Sequence, residues 1–217
     1  DVSCGSCHRA PVLGGGGRDM VDGITVHGPP ETGGDTMGVR KHAVPGRENE
    51  IVRGRTEKLR TPPLYGFGLL DAVPDAAIDA NVDEGDRNGD GIIGLRGQRH
   101  GTDGKLKPTR FGQKANEWNL RTFMAGALFD EMGVTSTARR HPLPDDDGVA
   151  DPEVRITFID ALDAYVRNLA RPPRAPKTAQ SERGKQLFAA IGCVGCHRPT
   201  LGNLSGAYTD LLLHDMG

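Results

Sequence analysis

SERGKQLFAAIGCVGCH, residues 181–197, is the stretch on which the reading of the whole chain turns. Cys193, Cys196 and His197 have the Cys-x-x-Cys-His spacing of covalent c-type haem attachment. Two thiols at that spacing reach the two vinyl groups of one porphyrin. The next residue is an imidazole, placed to bind the iron as proximal ligand and to set its electronics. The residues ahead of the motif predict a helix over 181–191. Ser181 reads as its N-cap, Leu187, Phe188 and Ile191 form one apolar face, and Gly192 stands where a C′ residue belongs.

The same pentapeptide recurs at the other end of the chain, at Cys4, Cys7 and His8, and the similarity extends past it. CGSCHRAPVLGG at 4–15 and CVGCHRPTLGN at 193–203 share the His-Arg, Pro and Leu-Gly elements, which suggests two related haem-binding units. All four cysteines lie in these motifs. A four-cysteine zinc ribbon would separate its halves by about 15–20 residues, not by nearly the whole chain. Two disulfides suit an oxidising compartment but leave the histidine after each pair without a role. A thioredoxin-like redox pair needs a βαβ setting, which is not visible. Covalent haem at both motifs is the expectation.

Composition agrees. Only 36% of the 217 residues are hydrophobic and 5% aromatic, lean for this length, and two buried porphyrins would supply apolar volume. The net charge of −2 points to neither nucleic acid nor an anionic membrane as partner. No apolar run approaches the roughly 18 residues of a membrane span. No leader peptide is recognised, so a mature form or a fragment is expected. Covalent haem is attached outside the bacterial cytoplasm, which sets the expected location as periplasmic or extracellular.

Three further helices are predicted. One covers 74–81 and starts at Pro74 as N1. A second covers 114–132, with Trp118, Phe123, Met124, Ala127, Leu128 and Met132 on a broad apolar stripe closed by Gly133. The third covers 153–170, with Asp151 as cap, Pro152 as start, and Phe158, Ile159, Leu162, Tyr165, Val166 and Leu169 at helical spacing. The proline-rich run at 171–177 reads as a stiff linker. It sets the domain boundary: an N-terminal haem domain over 1–172 and the start of a C-terminal one over 173–217. Residues 14–17 are four glycines that cannot form regular structure without cost, residues 28–62 are rich in Gly, Pro and charge and read as a long loop that is functional or wrapped around something, and no run of alternating strands stands out. The expected fold is mainly α with extensive loops, built as two cytochrome c-like haem domains, the second incomplete.

Several residues are candidates for further chemistry. His27 and His42, in the polar loop after the first motif, are candidate sixth ligands of the first haem, with His100 and His141 behind them. His214 and Met216 are nearest in sequence to the second. Asp86, Asn88 and Asp90, followed by Gly91, match the first half of a calcium loop. Gly97 occupies the place of its bidentate glutamate, leaving Asp83 or Glu84 as substitutes, and an Asx-rich turn is the alternative. The acidic run at 145–147 reads as a solvated loop. Arg40, Lys41, Arg47, Arg53 and Arg55 make a basic region suited to haem propionates or simply to solvent.

Taken in order along the chain, CHRAPVLGG (7–15), LRTPPLYGFGLLDAVPD (59–75), GDRNGDGIIG (85–94), RFGQKA (110–115), DEMGVTS (130–136), DALDAYVRNLARPPR (160–174), GKQLFAAIGCVGCHRP (184–199) and YTDLLLHDMG (208–217) resemble the bacterial di-haem oxidoreductases. These are relatives of the di-haem cytochrome c peroxidases and of the methylamine-utilisation di-haem enzyme. Members are longer, and the part that follows their LHDMG segment, including a ligand of the second haem, is expected to be missing here.

The resemblance implies a substrate-facing, peroxidatic first haem and a second haem that takes electrons from a donor, a small cytochrome or cupredoxin, or from other redox subunits. It makes Glu131 the candidate catalytic residue, a carboxylate above the peroxidatic haem that shuttles a proton, with an exposed acidic residue in the last turn of the 114–132 helix as the alternative. The glutamine that usually precedes this site is absent, Arg121 and Phe123 taking the neighbouring positions. An aromatic side chain between the haems is also implied: Phe111 aligns roughly with the peroxidases' tryptophan, Gln113 stands where the oxidoreductases often have one, and Trp118 is the other candidate. A peroxidase-like oxidoreductase is thus the leading reading. A non-enzymatic electron-carrier subunit of a larger redox assembly, with both irons six-coordinate, is the alternative.

Overall fold

The computed structural model of the chain describes residues 4, 8, 9, 20–26, 36–39, 55–101, 103–112, 114–138 and 149–216. Among them are five α-helices and a few short strands, a mainly α protein as expected. In chain order the elements are β1 (Met20–Val26), β2 (Thr36–Val39), β3 (Arg55–Arg60), α1 (Phe67–Asp71), α2 (Asp75–Asp79), β4 (Gln98–His100), β5 (Leu106–Pro108), α3 (Leu120–Met132), α4 (Ile156–Arg167), α5 (Ala179–Ala190), β6 (Thr200–Leu201) and β7 (Leu204–Ser205). No described helix is long and apolar enough to cross a membrane.

The strands depart from the sequence reading. β1 is the centre of an antiparallel sheet ordered β2-β1-β3, with Gly23 opposite Val39 on one side and Glu57 on the other. Two hairpins, β4–β5 and β6–β7, complete the strand content of the described residues.

Helix boundaries move inward or outward according to which side chain wins the capping bond. α3 begins at Leu120, not at 114, because the Asn119 side chain accepts the Thr122 amide at 2.9 Å. Ahead of it, the Phe111 and Glu117 backbones pair, with Gly112 and Ala115 left-handed. Trp118 therefore lies before the helix, half-buried beneath the Lys107 ammonium, and off the apolar stripe. α4 starts at Ile156. Asp151 and Glu153 are turned instead to Thr135: its hydroxyl donates to Asp151 and its amide to Glu153 at 2.5 Å. α5 starts at Ala179, where Thr178 and Ser181 form a reciprocal capping box, so Ser181 is N3 rather than N-cap. Pro74 is the N-cap of α2, not its N1 residue.

The main core lies between α1, α3 and α4. Leu64, Phe111, Leu120, Met124 and Val166 are buried there, and the rings of Phe67, Phe111 and Phe123 meet at centroid distances of 5.7–6.0 Å. Ala125, Leu128 and Ile159 continue the α3–α4 contact, while Val73, Ile78 and Leu201 join α2 to the β6–β7 hairpin. Each large apolar side chain buried this way contributes about 1.5–3 kcal/mol. Polar bonds fix the helix angles. The Asp71 carboxylate accepts the Leu120 amide at 3.0 Å and pairs with Arg167 at 2.7 Å, tying α1 to the start of α3 and the end of α4. Gly68 makes the α1–α4 approach possible, since a Cβ there would stand 2.2 Å from the Arg167 carbonyl oxygen. Two buried arginines hold α2: Arg96 pairs with Asp75 and Asp79, and Arg110 pairs with Asp75 while donating to the Leu70, Asp71 and Val73 carbonyls. Burial pushes the Arg96 guanidinium below its ordinary value, and the two aspartates oppose that.

Candidate functional site

The two motifs share one backbone hydrogen bond. In each, the histidine amide donates to the carbonyl of the first cysteine, His8 to Cys4 at 2.8 Å and His197 to Cys193 at 2.9 Å, and at the second motif this bond closes one helical turn. At the second motif that turn follows α5 through Gly192, whose φ of 88° suits the αL position after a helix. Cys4, Cys193 and Cys196 carry no disulfide; Cys7 lies outside the described residues. Burial, with the charges of Asp210 and Asp90 behind it, pushes the Cys196 thiol up.

Each motif histidine also has its ring turned by a backbone carbonyl. His8 Nδ1 lies 3.0 Å from the Pro62 oxygen and His197 Nδ1 lies 3.2 Å from the Tyr208 oxygen. A carbonyl only accepts, so Nδ1 carries the hydrogen in both rings. In a neutral His197 ring that leaves Nε2 unprotonated, the state a metal ligand needs. Around His197 the surface is apolar. Phe188 stands 5.9 Å from the His197 ring, and Leu187 and Ile191 on the same end of α5 are 53% and 73% exposed. This exposed apolar face, two unbridged thiols a turn apart and an imidazole with a free Nε2 fit a flat porphyrin bound through both cysteines.

His214 is placed differently. Its Nδ1 donates to the Ile93 carbonyl at 2.8 Å and its Nε2 lies 2.9 Å from the buried Asp210 carboxylate. Ligation of an iron by His214 would require one of those bonds to break. Met216 is 86% exposed. His100 Nδ1 donates to the Gly104 carbonyl in the β4–β5 turn. His27, His42, His141, Gln113, Arg40, Lys41, Arg47, Arg53 and the run 145–147 lie outside the described residues.

Glu131 is in the last turn of α3, partly buried among residues that pack beside Leu128 and Ile159. Desolvation, reinforced by the neighbouring Asp130 charge, raises its carboxyl to about 7. No hydrogen bond or ion pair ties it to either motif among the described residues. Phe111 is 4% exposed in the aromatic cluster of the main core, stacked on Phe123.

The acidic loop folds on its own amides. Asp86 accepts from Gly91, Asn88 from Asp90, Asp90 from Ile92, and Asp83 from Arg87 and Asn88. Among the described residues no group of three or more His, Cys, Asp or Glu side chains is arranged to hold a metal ion. The loop is joined to the second motif. Ile92 fills the space a Cβ on Gly195 would need, and Leu95 and Leu213 exchange backbone hydrogen bonds at 2.9 Å.

Three features were not anticipated from sequence: the Pro62 and Tyr208 carbonyls and the Asp71 node. The carbonyls have no side-chain signature, although a Pro-Pro pair at 62–63 marks an extended, amide-poor segment.

No match was found among curated proteins or solved structures. Residues 48–217, most of the chain, match the family described as "Di-haem oxidoreductase, putative peroxidase". Nearly all the described core and the whole second motif lie in that span, and the chain belongs to the di-haem oxidoreductase family.

Proposed function

We propose that the chain carries two covalent haems of the c type, on Cys4, Cys7 and His8 and on Cys193, Cys196 and His197, in two cytochrome c-like units divided near residue 172. It would act in electron transfer as a peroxidase-like oxidoreductase, outside the cytoplasm. The observation that carries the reading is the shared arrangement of the two histidines, each following a Cys-x-x-Cys pair and each turned by its Nδ1 to a backbone carbonyl.

Bound haem supplies one-electron redox chemistry and an iron position where peroxide can bind. Reduction of peroxide to two waters takes two electrons and two protons, and the chain's own contribution is the proton traffic. With its carboxyl raised to about 7, Glu131 is populated in both protonation states near neutrality, the condition for taking a proton from peroxide on one Oε and returning it to the departing oxygen. Electrons would enter at the second haem from a small cytochrome, a cupredoxin or a fellow redox subunit. The Phe67, Phe111 and Phe123 cluster offers packed aromatic groups for the interior route. Asp86, Asn88 and Asp90 would take calcium if their side-chain oxygens exchange backbone amides for the ion.

The test begins with denatured protein. Haem-associated colour and a polypeptide mass raised by two haems are expected; a bare-polypeptide mass defeats the proposal. EPR of oxidised and half-reduced protein then separates the two roles. A high-spin or openable first iron supports peroxidase-type chemistry, and two closed low-spin irons identify a carrier.

A further inference from the structure

Tyr208 adopts φ 51°, in the left-handed region that bulky residues avoid. Such an outlier persists only where its surroundings over-determine it, and it points to a function at that place. Here the surroundings are specific. The Gly206 and Ala207 amides both donate to the Pro199 carbonyl, two residues past His197. From the linker after α4, Arg171 donates to the Ser205 carbonyl at 2.9 Å, and Arg174 lies with its Cζ 5.7 Å from the Tyr208 ring centroid. The Tyr208 ring meets Phe188 edge-on at 6.1 Å, and Phe188 in turn packs 5.9 Å from the His197 ring. Arg174, Tyr208, Phe188 and His197 thus form a continuous stack that begins on the linker and ends on the imidazole.

We propose that Tyr208 is a positioning residue for the second haem: its left-handed backbone aims a carbonyl at His197 Nδ1, and its ring, held between Arg174 and Phe188, keeps that backbone in place. The inference rests on the haem reading above and adds the device that sets the proximal ligand. A hydrogen bond from Nδ1 makes the imidazole a stronger donor to iron. A stronger donor favours the ferric state, so this bond holds the second haem's midpoint potential down, and losing it moves the potential up.

Two substitutions separate backbone from ring. Tyr208→Val and Tyr208→Asn both remove the ring, but Asn tolerates the left-handed region and a β-branched residue resists it. In potentiometric titrations of the holoprotein, Tyr208→Val should raise the second midpoint by about tenfold in the oxidation equilibrium, about 59 mV for one electron. Tyr208→Asn should give less than about a third of that, and the first haem should not move. Arg174→Gln, an exposed change that leaves the core intact, should shift the second haem the same way by about threefold.

A Tyr208→Val protein with both haems and a wild-type second midpoint would overturn the inference, as would equal shifts for Val and Asn. Should Tyr208→Val fail to fold, an unmoved midpoint in Arg174→Gln overturns it and the expected shift supports it. Wild-type protein lacking haem at the second motif would sink the haem reading itself, a result distinct from any of these.

Discussion

Replacing Glu131 by Gln should make the protein more stable at alkaline pH while it removes catalysis. An ordinary glutamate ionises at 4.5, whereas desolvation beside Asp130 raises Glu131 to about 7. Below pH 4.5 the folded and unfolded chains both hold the proton. Between 4.5 and 7 the unfolded chain gives it up and the folded chain keeps it, so unfolding releases a proton and stability falls as pH rises. Above pH 7 both states are ionised, and the folded one carries a poorly solvated carboxylate. At 1.36 kcal/mol per pH unit the full penalty is about 3 kcal/mol. The amide introduced by Glu131→Gln never ionises and escapes it. Urea denaturation of the two holoproteins should therefore coincide near pH 4 and diverge by about 2–3 kcal/mol at pH 8, with the variant the more stable. Peroxide-dependent oxidation of a reduced donor should fall about 10²–10⁴-fold in the same variant. Equal stabilities at pH 8 would refute the desolvated carboxylate, and undiminished turnover would refute its role as proton carrier.

Three other substitutions test the frame that holds the sites. Gly68→Ala forces a Cβ against the Arg167 carbonyl, which is backbone and cannot turn aside, so chemical denaturation should show a loss of about 1–3 kcal/mol. Asp71→Ala strands the Leu120 amide and leaves Arg167 with Asp163 as its carboxylate partner; a loss of about 2 kcal/mol is expected, with Asp71→Asn recovering part of it through its remaining oxygen. Gly195→Ala would place a Cβ 2.4 Å from Ile92 Cδ1, the movable end of a side chain. Its effect, about 1 kcal/mol, should shrink when Ile92→Ala is added, a coupling read from a double-mutant cycle.

The motifs and α5 were legible because they announce themselves in side chains: two thiols and an imidazole at fixed spacing, then a capped helix with an apolar edge. The sequence misleads where polar groups compete for one partner. Asp151 reads as a helix cap until Thr135, sixteen residues away, takes it as a partner. Residues 114–119 look helical until the Phe111 and Glu117 backbones pair and Asn119 caps α3. Trp118 leaves the apolar stripe for the same reason. The β2-β1-β3 sheet escaped notice because its strands, MVDGITV, TMGV and RTEKLR, carry glycines and charges and no steady apolar alternation. The carbonyls of Pro62 and Tyr208 were beyond sequence reading altogether, since any residue offers a carbonyl and only the folded backbone says where it points.

Those two carbonyls imply that the motifs mature differently. His197 takes its acceptor from a residue 11 positions on, within the same short unit, whereas His8 takes its acceptor from a residue 54 positions on. Closing the longer loop is a modest entropic cost in itself, but Pro62 reaches His8 only when the segment 61–67 is docked, and that docking depends on Leu64 and Phe67 entering the main core. The His8 ring is therefore preset by the tertiary fold, and the His197 ring by local chain geometry. Substitutions that loosen the α1–α3–α4 core without unfolding the chain, Gly68→Ala among them, should then broaden or shift the spectrum of the first haem while leaving the second unchanged. Equal disturbance of both haems in such a variant would mean that the core does not set the first imidazole at all.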